Sequence, residues 1–154
     1  PLNATWEYLD LPFQTAPTKT QLQAQASKGE GMYRRYAEGL LRKIAKEGRL
    51  PEKYAYPVQV WQFGKDLTLI PLAGEVVSDY SLRFKKQYGW DNTWVAGYSN
   101  DVFAYIPSLR VLKEGGYEGG GAMIPYGQPA PFRAAVEEII AEKVDELVKR
   151  VRSS

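Results

Sequence analysis

The segment LTLIPLAGEVVSDYSLRFKKQYGWDNTWVAGY, residues 67–98, sets the architecture. Leu67 to Leu72 is a β-rich apolar run suited to a central strand, and it stops at Ala73-Gly74-Glu75. Val77, Tyr80, Phe84 and Tyr88 then recur at helical spacing up to Gly89, which predicts a helix from about Val76 to Tyr88. Thr93 to Tyr98 is the next apolar run. A strand-helix-strand unit of this kind makes its two strands parallel, joined by a right-handed crossover.

Upstream, Val58 to Phe63 is a second β-rich run joined to Leu67–Leu72 by Gly64-Lys65-Asp66, which reads as a hairpin. A hairpin beside a crossover gives a mixed sheet and an α/β fold. Residues 1 to 17 carry Pro1, Pro12 and Pro17 around Thr5-Trp6-Glu7-Tyr8-Leu9, and read as a short edge strand or an extended arm that needs a partner surface. From Thr18 the pattern becomes helical, with Thr18 or Thr20 as the cap and Gly29-Glu30-Gly31 dividing two helices. Tyr33, Tyr36, Ala37, Leu40, Leu41 and Ile44 fall on one face and read as a packing stripe ending at Gly48.

Residues 99 to 129 have little periodicity and are dense in Gly, Pro, Tyr and Asn, so they read as a long loop, a length that usually carries function. The chain closes with a helix in which Pro131 suits the first turn. Val136, Ile139, Ile140, Val144, Leu147, Val148 and Val151 form its apolar stripe, and Glu137 and Glu138 early and Lys149, Arg150 and Arg152 late match the helix dipole. The expected unit is single: an arm and helices over 1–56, then sheet, site loops and terminal helix over 57–154.

Composition narrows the chemistry. The 154 residues, 44% of them hydrophobic, suffice for one cored domain. Twenty Lys and Arg against 18 Asp and Glu are interspersed, and the net charge of +2 implies no nucleic-acid partner. No apolar run approaches the roughly 20 residues that span a bilayer, and the start of the chain lacks a signal-peptide pattern. With no cysteine, disulfides and thiolate chemistry are excluded; with no histidine, so are a self-contained Ser-His-Asp hydrolase and a histidine-based zinc enzyme made from this chain alone. Pro1 stands where an initiator Met would, which fits tag removal, processing or a piece of something longer.

In open α/β sheets, ligands sit beyond the carboxyl ends of parallel strands. Glu75 follows one such strand and Ser99–Tyr105 the next, so both project toward one crevice. Glu75 is a candidate metal ligand or acid/base group, or else an exposed first-turn glutamate favoured by the helix N-terminus. The glycine-rich run Gly115 to Gly121 does not make a phosphate loop, since no Gly-Lys-Ser/Thr follows it. It reads either as a close-packed loop that holds Tyr117 against a ligand or as a flexible one. Ser99 lacks both a Gly-x-Ser-x-Gly frame and a base, and is given no nucleophilic role.

Gly74-Glu75, then Val95-Ala96-Gly97-Tyr98-Ser99-Asn100-Asp101-Val102-Phe103-Ala104-Tyr105, then Gly116-Tyr117-Glu118-Gly119, then Tyr126-Gly127 together resemble the end of the catalytic domain of neutral/alkaline ceramidases, and especially the bacterial ceramidase-like proteins. The resemblance covers about residues 57 to 150. It implies a zinc-dependent N-acyl amide hydrolase whose metal is held by two upstream histidines with a glutamate and a tyrosine from this part. Residue by residue, these last two fall on Glu75 and Tyr105, while Tyr117 falls on a tyrosine that contacts the reacting amide. Hard oxygen ligands suit a Lewis acid that activates water, and a tyrosine hydroxyl suits a developing oxyanion.

The family's histidines, serine and arginine have no counterpart here, and neither does its immunoglobulin-like C-terminal domain. Ile106-Pro107-Ser108 replaces a Thr-rich stretch, and Val76-Val77-Ser78-Asp79 a Phe-Thr-Thr-containing one, which sets ceramide itself apart as substrate. The reading is therefore an incomplete domain that lacks tight zinc binding alone and needs a missing N-terminal half or a complementary subunit, with an N-acyl lipid-like substrate. The resemblance implies a secreted or periplasmic full-length protein. The rival is a non-catalytic binding or structural domain that kept the fold and lost the zinc site.

Overall fold

The computed structural model describes residues 1–153. The fold is α/β, with a four-stranded mixed sheet and a long C-terminal helix. Strand β1 (Leu2–Pro12) pairs antiparallel along its whole length with β2 (Lys53–Phe63). The N-terminal segment is thus a long edge strand, not a short one or a loose arm. Its partner surface lies within the chain. Polar Asn3, Thr5 and Glu7 at the inward positions hide the apolar alternation that would have marked it, because they bond to the C-terminal helix.

Between these strands, α1 (Lys19–Lys28) and α2 (Gly31–Glu47) pack into a small core of Leu22, Ala37, Leu40 and Leu50. Thr18 is the cap, with a reciprocal capping box to Gln21, and Gly48 closes α2 in the left-handed conformation. Tyr36, Ala37, Leu40, Leu41 and Ile44 face this core, whereas Tyr33 is exposed. β2 starts at Lys53, five residues before the expected Val58. Pro57 is tolerated because it lies beyond the isolated Val58–Leu72 bridge, where β1 is the sole neighbouring strand.

The hairpin continues into β3 (Leu67–Pro71), followed by β4 (Glu75–Val76), α3 (Ser78–Tyr88) and β5 (Thr93–Ala96). β3 and β5 are parallel neighbours with α3 between them in sequence, as the apolar spacing predicts. α3 starts later than Val76, because that residue is drawn into β4. β5 ends at Ala96, short of Tyr98. Gly97 and Tyr98 turn away, with Tyr98 N–H donating to the Gly74 carbonyl at 2.9 Å.

Residues 99–129 are not a structureless loop. They hold β6 (Tyr105–Ile106), α4 (Leu109–Glu114), α5 (Gly116–Gly119) and a 3-10 turn at Gly121–Met123, all too short to show a period in sequence. The terminal helix, α6, is Val136–Arg152. Pro131 lies outside it because Phe13 and Phe132 form an antiparallel bridge and stack, drawing this stretch into extended pairing.

α6 buries Val136, Ile140, Ala141, Val144, Leu147, Val148 and Val151, packing against β1 and β2. α3 adds Tyr80 and Phe84 to the same core. Each large apolar side chain buried there contributes about 1.5–3 kcal/mol. The opposite sheet face is uncovered: Ala4, Trp61, Leu69 and Trp94 form one row across all four strands, flanked by Leu2, Phe63 and Leu67. Trp94 is 61% exposed and Trp6, next along β1, 53%.

Candidate active site

β4 and β6 form a two-residue parallel ladder in which Glu75 is the register partner of Tyr105 and Val76 of Ile106. The ladder lies past the carboxyl ends of β3 and β5, where chain crossings are tight: Leu72 N–H donates to Ala96 O, Gly74 N–H to Asp101 O and Glu75 N–H to Ala104 O. Gly74 is fixed by geometry. Its φ is +74°, and a Cβ there would stand 2.8 Å from both the Ala104 oxygen and the Ile106 side chain.

Three tyrosines gather at the Glu75 carboxylate, and a fourth packs against one of them. The Tyr98 hydroxyl donates to Oε2 at 2.6 Å, and the Tyr126 hydroxyl donates to Oε1. Tyr105 interacts with the same carboxylate. Tyr117, on α5 and largely exposed, packs edge-on against Tyr105 with ring centroids 5.5 Å apart. Tyr98 itself has φ of 55°, an uncommon backbone for a bulky residue, and such strain persists where surrounding bonds over-determine it.

Other side chains hold these groups in place. The Tyr36 hydroxyl donates to the carbonyls of Gln128 (2.8 Å) and Pro129 (3.2 Å), and the Gln128 amide to Phe103 O at 2.9 Å, tying α2, the Tyr126 turn and the β6 approach together. Beyond β6, the buried Tyr80 hydroxyl donates to Pro107 O at 3.0 Å. Ser108 donates to Asp79 at 2.5 Å while also capping α4.

The hydroxyls of Tyr126 first, then Tyr98, hold the Glu75 carboxyl below its ordinary value by bonding to the ionised form. The converse acts on the phenols. Bonding to Glu75 pushes both Tyr105 and Tyr126 up to about 12. The result is an ionised carboxylate among protonated phenols, an all-oxygen donor set of the kind that hard cations take.

The structure brings Glu75, Tyr105 and Tyr117 together, and adds Tyr98 and Tyr126, to which the sequence assigns no role. The usable signal was that Tyr98 follows β5 much as Glu75 follows β3. Tyr126 had none beyond its place in the fourth motif. Ser99 turns its hydroxyl to the carbonyls of Ala96 and Gly97, a local turn bond.

Zinc suits part of this set. Glu75 and Tyr105 on adjacent strands are the two residues that could hold it, but a catalytic zinc normally takes three protein ligands. Among the described residues no group of three His, Cys, Asp or Glu side chains stands ready for a metal. No helix among them is long and apolar enough to cross a membrane. No protein-family model matches this sequence, and comparisons with curated proteins and with solved structures return no similar protein.

Proposed function

We propose that this chain supplies part of the active site of a ceramidase-like, zinc-dependent N-acyl amide hydrolase and is inactive alone. The observation that carries the reading is the β4–β6 ladder, which sets Glu75 beside Tyr105 with Tyr117 against Tyr105. Zinc, held by Glu75, Tyr105 and two histidines from outside this chain, would supply Lewis-acid polarisation of the amide. Tyr98 and Tyr126 orient the Glu75 carboxylate and keep it ionised. Tyr117, exposed beside them, offers its hydroxyl to the oxyanion that develops as the amide is attacked. The open apolar sheet face is the surface on which the completing half, or a complementary subunit, packs.

The test begins with the source reading frame and the native assembly. A preceding segment or bound subunit carrying metal-ligand histidines is expected, and the assembled protein should bind zinc tightly and hydrolyse N-acyl amides. Glu75→Gln and Tyr105→Phe should each remove both properties. Tight zinc binding or turnover by the 154-residue chain alone would show a site built differently. A native protein with no such histidines and no hydrolysis would favour the binding-domain rival, which fits a Glu75 carboxylate already engaged by phenols.

A further inference from the structure

Beside Tyr126 a groove of about 560 Å³ lies between α2 and the 124–127 turn, within the size range of small-molecule sites. Its lining includes apolar Met32 and Pro125, Gly39, and the two cations Arg35 and Lys43. The three α2 positions 35, 39 and 43 recur every fourth residue and therefore share one helix face. Neither Arg35 nor Lys43 makes an ion pair among the described residues, whereas neighbouring Arg34 is matched by Glu38 at 2.9 Å. A Cβ on Gly39 would meet only the Arg42 guanidinium, at 3.8 Å, so packing leaves room for a side chain at this position.

Tyr126 joins this groove to the active-site cluster: its ring lines the groove and its hydroxyl bonds Glu75. The Glu75 carboxylate repels an anion at the hydroxyl end of Tyr126, while Arg35 and Lys43, which line the groove without an ion-pair partner among the described residues, attract one into it. We infer that the groove is a subsite for an anionic headgroup, a carboxylate borne on the amine side of an N-acyl compound such as an N-acyl amino acid. The inference deepens the proposed function and rests on it for placing the amide beside Glu75. The carboxylate would lie between Arg35 and Lys43, with the linkage passing Tyr126.

The test is metal-free binding of N-octanoylglycine against its neutral isostere N-octanoylglycinamide by the full chain at low ionic strength. A charge-assisted contact to guanidinium predicts a preference of about tenfold for the acid, weakened by salt. Arg35→Ala with Lys43→Ala should abolish the preference, and Gly39→Leu, which fills the groove without touching charge, should weaken both ligands. Equal binding of the two ligands, or a preference that survives removal of both cations, overturns the inference. Because this readout needs neither zinc nor turnover, loss of hydrolysis with an intact preference counts against the proposed reaction alone.

Discussion

The Glu75 carboxylate and its tyrosines shift one another's titration in opposite directions. Glu75 is depressed below its ordinary 4.5, so the stability from its phenol bonds is fully present above that value and is lost as pH falls through the folded value. Tyr98→Phe removes one of the three phenol donors, and the Glu75 titration, followed by carboxyl NMR, should move up toward 4.5. Tyr98 should also relax from its strained backbone once its hydroxyl anchor is gone. Glu75→Gln makes the complementary prediction for the phenols. Without the carboxylate, Tyr105 and Tyr126 should fall from about 12 toward 10.0, read by ultraviolet difference spectroscopy. Unchanged tyrosine titration in Glu75→Gln would mean that burial, not the carboxylate, raises these groups.

The β4–β6 ladder is only two residues long, so it depends on the turn that enters it. Gly74→Ala places a methyl group 2.8 Å from Ala104 O in a left-handed backbone, and should cost about 1–3 kcal/mol and pull Glu75 out of register with Tyr105. Chemical denaturation measures the loss; a variant as stable as the parent would show that the crossing is looser than its geometry implies. The same ladder marks the limit of what the sequence discloses. β3 and β5 were legible as apolar runs and α3 by its helical period, and the caps at Thr18 and Gly48 because their chemistry is local. β4, β6, α4 and α5 were not, each being shorter than two full periods. The start of α6 was misread because Pro131 is locally suited to a helix, while its neighbour Phe132 gains more by pairing with Phe13 across the fold. At the site, Glu75 and Tyr105 could be named from strand ends and motif. Tyr98 and Tyr126 could not, since they reach the carboxylate from turns whose directions only the folded chain defines.

At the scale of the whole molecule, one sheet face is filled by α6 and α3 and the other is left open. Trp6 packs on Tyr8 at 5.5 Å and Trp61 on Phe63 at 6.2 Å, so the open side is an ordered aromatic surface, not scattered exposure. Two sheets, or a sheet and helices, commonly bury such faces against each other, and contiguous apolar patches beyond a few hundred Å² usually mark an interface. The chain alone should therefore self-associate through this face. Trp6→Lys with Trp94→Lys places two like charges on it and should convert the sedimenting species to a monomer. Both side chains are more than half exposed, so the thermal midpoint should scarcely move, surface changes costing about 0.5 kcal/mol or less. Phe132→Ala, in the core on the other side, is the contrast: it should cost about 3–5 kcal/mol. A parent chain that sediments as a well-behaved monomer at all concentrations would remove the argument for a missing layer, because an aromatic sheet face that tolerates water needs no partner to cover it.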